Sequence, residues 1–288
     1  MSQRLSISHG PSTLEFEPRT ALLCQWHFKD KSGLSRQVFY EPFQQESAIP
    51  HWPGGGCPML FPWAGRVWLG NDMGQYTWQN RSAAMPIHGF VYVAEYHLVE
   101  HSPSEIEFSM KTNALTRTAY PWDFSVRFNY KIMDGKLSVS MTIQNLDTVD
   151  LGFAPGIHPF FKLDGMQDWK VQIPAHTAYE VTAQGLAGKS RPIAIDGMPC
   201  VSPELRSVIL GNLSQTHADL IHADPAHRIR IGWDAKTSRY IVLWVDKQAG
   251  YFCLEPWSGQ PDAIHNGHGL EILKPREERR FSYQLEVG

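Results

Sequence analysis

Between Phe124 and Ile143 the chain alternates apolar and polar residues almost without a break, and a period of two calls for strands rather than helices. Phe124, Val126, Phe128, Tyr130 and Ile132 alternate with Ser125, Arg127, Asn129 and Lys131. After Asp134-Gly135 the pattern resumes as Leu137, Val139, Met141 and Ile143. An Asp-Gly pair between two such runs predicts a β-hairpin with one apolar face. The alternation recurs at Ile106-Phe108-Met110, Ile229-Ile231-Trp233 and Phe281-Tyr283-Leu285-Val287. Tyr240 to Val245 is nearly continuous in apolar residues, which reads as a strand covered on both faces. Helical periodicity is scarce. The best candidate is Pro203 to Leu210, where Pro203 and Glu204 suit a first turn.

No linker, low-complexity block or charge run divides the sequence, and its 20 prolines and 23 glycines punctuate the strands as turns. The economical reading is one large antiparallel all-β domain over residues 1–288, built as two packed sheets. A hydrophobic share of 42% supplies its core. The net charge of -3, without a Lys/Arg stripe, argues against nucleic-acid binding. Met1 to Pro18 lacks a basic stretch followed by an apolar one, and no run approaches the roughly 18 apolar residues of a membrane span. A cytoplasmic protein without membrane contact is expected. Cys24, Cys57, Cys200 and Cys253 form no CxxC pair, so they read as reduced, buried thiols.

Four segments break the alternation. In Gly54 to Val67 a glycine triplet precedes Cys-Pro-Met-Leu-Phe-Pro-Trp-Ala-Gly-Arg, but the Lys-Ser/Thr of a phosphate loop is missing. Arg66 closes that loop. The others are Met85 to Phe90 around His88, Pro155 to Phe161 around His158, and Tyr251 to Trp257 around Glu255. His158 and Glu255 each precede a proline, which favours extended backbone and tends to end a strand for want of a ladder donor. A carboxylate between Phe252 and Trp257 is costly to bury without a purpose or a partner. Its desolvation raises the carboxyl pKa toward that of a useful general base. A lone histidine among aromatics is more often a satisfied core residue. Trp63, Trp257, Phe160 and Phe161 could stack on a sugar face, although aromatics are usually core. His88, His158 and Glu255 could also be read as a metal triad, but no HxH or HExxH signature supports it.

Taken together, these segments resemble the aldose 1-epimerase (galactose mutarotase-like) superfamily. The resemblance rests on Gly-Gly-Cys-Pro-Met-Leu-Phe-Pro-Trp-Ala-Gly-Arg at 55 to 66, His-Gly-Phe at 88 to 90 and Tyr-Pro-Trp-Asp-Phe at 120 to 124. Gly-Ile-His-Pro-Phe-Phe at 156 to 161 and Cys-Leu-Glu-Pro-Trp at 253 to 257 follow in the family's order. Pro261 to Ile264 and Leu270 to Pro275 are similar to its closing segment. The resemblance implies a β-supersandwich with an open cleft across one sheet, and a reaction on a sugar substrate without metal or cofactor. It places Glu255 as the catalytic base and His158 as the general acid, with Arg66, His88 and Asp219 on the substrate.

The reaction so implied interconverts the anomers of a free hexose. Glu255, ionised, takes the proton of O1, His158 protonates O5, the ring opens and recloses on the other face, and the two groups exchange roles. Relatives handling hexose 6-phosphates tend to carry an arginine shortly after His-Gly-Phe. Val91-Tyr92-Val93 stands here instead, leaving Arg66, Arg81 or Lys162 for a phosphate. A neutral hexose is therefore preferred over the 6-phosphate. The rivals are a binding or sensing protein that keeps the cleft without turnover, and a metal-dependent enzyme on the same histidines. Glucose and galactose differ only at C4, so both are candidate substrates.

Overall fold

The structure is a computed structural model, and it describes residues 3–43 and 51–288. Its two large sheets form the expected all-β supersandwich. The nine-stranded sheet runs His97–His101, Glu105–Lys111, Phe124–Met133, Lys136–Asn145, Glu278–Val287, Arg228–Trp233, His217–His222, Trp169–Gln172 and Met198–Pro199. The eight-stranded sheet runs Ala187–Pro192, Ala175–Val181, Ser207–Leu213, Tyr240–Asp246, Tyr251–Trp257, Gly156–Ile157 and Met59–Leu60, with Phe160–Lys162 also paired to Tyr251–Trp257. A four-stranded sheet from Leu5–His9 to Ser35–Gln37 covers one end. No helix among the described residues is long and apolar enough to cross a membrane.

The strongest alternation produces the strands anticipated for it. Phe124–Met133 and Lys136–Asn145 pair in register from Phe124 with Asn145 to Met133 with Lys136. Asp134 and Gly135 both take positive φ, 48° and 75°, as a two-residue hairpin turn of the primed kind requires. Phe124, Val126, Phe128, Tyr130 and Ile132 are at most 1% exposed. Each such side chain contributes roughly 1.5–3 kcal/mol by leaving water.

The facing sheet meets that core with every second residue. Ile241, Leu243 and Val245 pack into the same core cluster as the hairpin, and so do Phe252, Leu254, Val208 and Leu210. The intervening residues of these three strands face away from it.

Two expectations need correcting. Tyr240–Asp246 is not covered on both faces: Trp244 is 46% exposed, and Tyr240 and Val242 are half-buried. The helix expected over Pro203 to Leu210 is a single 3-10 turn, Pro203–Leu205, after which Ser207–Leu213 enters the sheet and buries Val208 and Leu210. The β-branched and aliphatic Val208-Ile209-Leu210 gains more from that sandwich than from continuing the turn. All four cysteines are free and buried, as read from their spacing.

Candidate active site

The face of the eight-stranded sheet turned away from the core floors an open cavity of about 530 Å³. Strand periodicity decides which side chains reach it. In Tyr251–Trp257 the even positions Phe252 and Leu254 enter the core, which leaves Tyr251, Glu255 and Trp257 lining the cavity. Val242 and Trp244 reach it from the next strand, and Ser207 and Ile209 from the one beyond. Arg66, His88 and Trp52 reach it from loops, with the Arg66 side chain packed beside Gly185.

His158 and Glu255 are brought together by register. Phe160 is opposite Cys253 and Gly156 is opposite Trp257, so His158 falls opposite Glu255 across the same antiparallel pair. Pro159 does end a strand, separating Gly156–Ile157 from Phe160–Lys162. Pro256 does not, because Tyr251–Trp257 continues through it. Its missing donor falls beside the break that Pro159 makes in the neighbouring strand. The glycine of Gly-Ile-His-Pro is also required sterically, since a Cβ on Gly156 would stand 2.6 Å from Trp257 Cδ1.

The resulting pair is sealed and tightly spaced. His158 Nε2 is 3.4 Å from Glu255 Oε1, and Glu255 Oε2 accepts from the indole N–H of Trp257 at 3.1 Å. Glu255 is 1% exposed and His158 6%. Burial pushes the Glu255 carboxyl well above its usual range, opposed only in part by the Trp257 hydrogen bond. Burial also holds the His158 imidazole well below its ordinary value, with His88 adding to the effect and His158's own main-chain carbonyl opposing it. Both shifts penalise the charged forms.

His88 is held differently. Its Nδ1 accepts the Gly65 N–H at 3.1 Å, while its main-chain N–H donates to the Gly65 carbonyl at 2.8 Å. An accepting Nδ1 identifies the neutral tautomer with its proton on Nε2. Burial, then the charge of Arg66, lowers its pKa to about 3. The residue also sits at φ 65°, an uncommon conformation for a side-chain-bearing residue. Gly89 follows at φ 79°, where a Cβ would stand 1.9 Å from the Phe61 carbonyl oxygen, so only glycine fits after the histidine. Trp52 stacks on His88 with centroids 4.9 Å apart and meets His158 edge-on at 5.2 Å. Phe160 stacks on the other ring, 4.5 Å from His158.

Five of the six site residues anticipated from sequence therefore line one cavity: Glu255, His158, His88, Arg66 and Trp257. Asp219 does not, and that expectation is corrected. It belongs to His217–His222 in the nine-stranded sheet, where both its oxygens accept from the forked guanidiniums of Arg228 and Arg230 at 2.7–3.0 Å. A carboxylate committed in this way has no oxygen left to turn toward a sugar. Of the other aromatics, Phe160 lines the cavity, whereas Trp63 and Phe161 belong to the core. Two glycines of the 54–56 triplet serve backbone packing: a Cβ on Gly55 would meet the Glu41 carbonyl at 2.7 Å, and one on Gly56 the Leu23 carbonyl at 2.5 Å, whereas Gly54 lines the cavity.

A family model for aldose 1-epimerase matches residues 21–286. The chain belongs to the aldose 1-epimerase family. Among curated relatives, the chromosomal protein LacX of Lactococcus lactis subsp. lactis is 25% identical, over 90% of this chain and 91% of its own. The solved structure of Slr1438 from Synechocystis sp. PCC 6803 superposes with a TM-score of 0.86 at 22% identity, covering 100% of this chain and 96% of that one. A galactose mutarotase-like protein from Lactobacillus casei ATCC 334 gives 0.85 at 21% identity, covering 99% and 100%.

Within this family frame, a group of possible metal ligands differs from the triad weighed from sequence. His158, Cys253 and Glu255 offer atoms within 4.8 Å of one another. His88 commits its Nδ1 to Gly65 instead. Sequence reasoning also missed Trp52 and Trp244. Trp52 sits on an aperiodic segment before Pro53, which carries no signal. Trp244 lies in a continuous apolar run, and only the pairing of Val242, two residues away on the same face, with Glu255 brings it to the site.

Proposed function

We propose that the protein is an aldose 1-epimerase acting on a free aldose, with Glu255 and His158 carrying the protons. The observation that supports this reading most is the buried cross-strand pair, His158 Nε2 at 3.4 Å from Glu255 Oε1, on the floor of the cavity. In the opening direction the Glu255 carboxylate takes the proton of O1–H. The C1–O5 bond breaks, its electrons pass to O5, and O5 takes the proton of His158 Nε2. C1 becomes an aldehyde. Rotation about C1–C2 presents its other face, and the same transfers in reverse close the ring as the other anomer.

Opening consumes a carboxylate and an imidazolium; it leaves a carboxylic acid and a neutral imidazole. The proton count of the pair is the same in both forms. In water the first form is favoured by about 3 kcal/mol, the gap between glutamate near 4.3 and histidine near 6.5. Burial raises the one group and lowers the other, which works against that bias. A reaction that must run through both forms in each turnover benefits from that balance.

His88, neutral and donating from Nε2, and Arg66 orient the sugar hydroxyls, and orientation rather than proton transfer is their contribution. A neutral hexose is preferred over its 6-phosphate. Arg81 is engaged by Asp147 at 3.1 Å and Lys162 lies 3.6 Å from Asp164, so Arg66 is the one of the three candidate cations that lines the cavity.

Polarimetry of freshly dissolved α-D-glucose and α-D-galactose tests the proposal, with and without chelator. Equilibration well above the spontaneous rate and insensitive to chelator is expected. Background rates with these sugars and with their 6-phosphates would return the cleft to a binding role.

A further inference from the structure

We infer that His158, Cys253 and Glu255 form a binding site for a divalent cation of the zinc class, and that its occupation shuts the chemistry off. The inhibitory half rests on the epimerase reading above; the binding half does not.

Register brings the three side chains together. Cys253 and Glu255 are two residues apart on Tyr251–Trp257 and share its outer face, while Phe160 is opposite Cys253 and His158 falls opposite Glu255. Each of the three offers one ligand atom, and these atoms lie within 4.8 Å of one another, a spacing that no other trio of such side chains reaches among the described residues. Atoms so placed surround a point no more than about 2.8 Å from each of them, and zinc takes its nitrogen, oxygen and sulfur ligands at about 2.0–2.3 Å. The cluster therefore has roughly half an ångström to close. The contact of His158 Nε2 with Glu255 Oε1, 3.4 Å, already has the right span. Two tetrahedral ligands held at about 2.0–2.1 Å stand roughly 3.3–3.4 Å apart, whereas a charge-assisted hydrogen bond is shorter, about 2.7–2.9 Å.

Charge favours the exchange as well. The cluster holds one proton on the free thiol of Cys253 and one shared by Glu255 and His158, and it is neutral. A dication that replaces both protons meets a thiolate, a carboxylate and a neutral imidazole, and the buried cluster is neutral again. One nitrogen, one sulfur and one oxygen suit Zn²⁺, and not Mg²⁺ or Ca²⁺, which take oxygen ligands. The Trp257 indole donates to Glu255 Oε2 at 3.1 Å, an outer contact of the kind that holds a ligand in place. Because His158 and Glu255 line the cavity, a water entering from that side completes four-coordination. The ion displaces the proton that Glu255 and His158 must pass between O1 and O5, so a sugar bound over it is not opened.

The test titrates metal-stripped protein with Zn²⁺ by calorimetry and with Co²⁺ by absorbance, in wild type and Cys253→Ala, with Cys253→Ser in its place should the alanine variant not fold. Glucose anomer exchange is followed by proton NMR in the same samples. One Zn²⁺ per chain and a thiolate-to-cobalt charge-transfer band are expected in wild type. Loss of the thiol should abolish the band and weaken Zn²⁺ binding at least about tenfold, no less than the loss of an outer-shell partner. Saturating Zn²⁺ should slow wild-type exchange by at least about a hundredfold, the contribution of one proton carrier, and chelator should restore it. The Cys253 variant should keep the metal-free rate within about twofold and need at least about tenfold more Zn²⁺ for the same inhibition. Zn²⁺ bound equally by wild type and variant, or no stoichiometric binding, refutes the site. Binding at the site with exchange undiminished refutes the inhibition. If metal-free wild type turns over no sugar, the epimerase reading fails, and calorimetry and the cobalt band still decide whether the site exists.

Discussion

Each of the two large sheets buries a carboxylate, and the two are held in opposite ways. On the eight-stranded sheet Glu255, 1% exposed, faces a histidine and one indole N–H, with no arginine or lysine among the described residues in salt-bridge contact. On the nine-stranded sheet Asp219, 4% exposed, is gripped by two guanidiniums. Burial raises both carboxyls. For Asp219 the hydrogen bonds from Arg230 and Arg228 outweigh it, and the net shift is downward. For Glu255 the single indole bond does not outweigh it, and the shift is upward. A buried carboxylate with its charge matched is a structural fixture. One left short of positive charge is poised to exchange a proton, and that contrast separates the candidate catalyst from the candidate that failed.

The contrast can be broken most forcefully at His158. His158→Asn removes the acid while keeping the shape of the cavity floor, and it should slow anomer exchange by roughly 10²- to 10⁴-fold. A change of less than tenfold would show that O5 is protonated by another group. Asp219→Asn should act on folding instead. It should lower stability by about 2 kcal/mol, less than for a fully buried pair because Arg228 and Arg230 reach water, and leave exchange rates within about twofold. The depressed pKa of Asp219 means that its contribution is present above the unfolded carboxyl pKa and disappears as pH falls. Urea titrations of wild type and variant should therefore converge on acidification.

Glu255 has the opposite sign. Its raised pKa makes the folded state bind more protons than the unfolded chain, so its cost to stability grows as pH rises above about 4.5. Glu255→Gln should thus gain on wild type in urea midpoint from pH 4.5 to 7. A midpoint that falls behind over that range would contradict the assignment. His88 acts on stability at the acid end. With its pKa lowered to about 3, the native state refuses a proton that the unfolded chain takes up below about 6.5. Stability is lost as pH falls through that window, at up to about 1.4 kcal/mol per unit. His88→Asn should flatten the loss only in part, because His158 contributes with the same sign.

The alternation at 124–132 and 137–143 revealed the hairpin because both apolar faces end in one core. Glu255 and His158 were legible because each interrupts an apolar segment and precedes a proline. Asp219 was misplaced because His217-Ala218-Asp219-Leu220 looks the same whether its carboxylate faces a cleft or a pair of arginines. Those arginines, Arg228 and Arg230, lie on the adjacent strand, and only the pairing of Asp219 with Arg230 across the ladder reveals them. Trp244 was hidden for a related reason. A continuous apolar run does not say whether its second face is buried or forms the floor of a cleft.

The division of labour between the two carboxylates is tested most directly by the rate of anomer exchange of galactose and glucose at neutral pH, measured by NMR on Glu255→Gln beside Asp219→Asn. Exchange at the spontaneous rate is expected in the first and at the wild-type rate in the second. Exchange retained in Glu255→Gln and lost in a folded Asp219→Asn would contradict that division, and would move the chemistry to the other sheet.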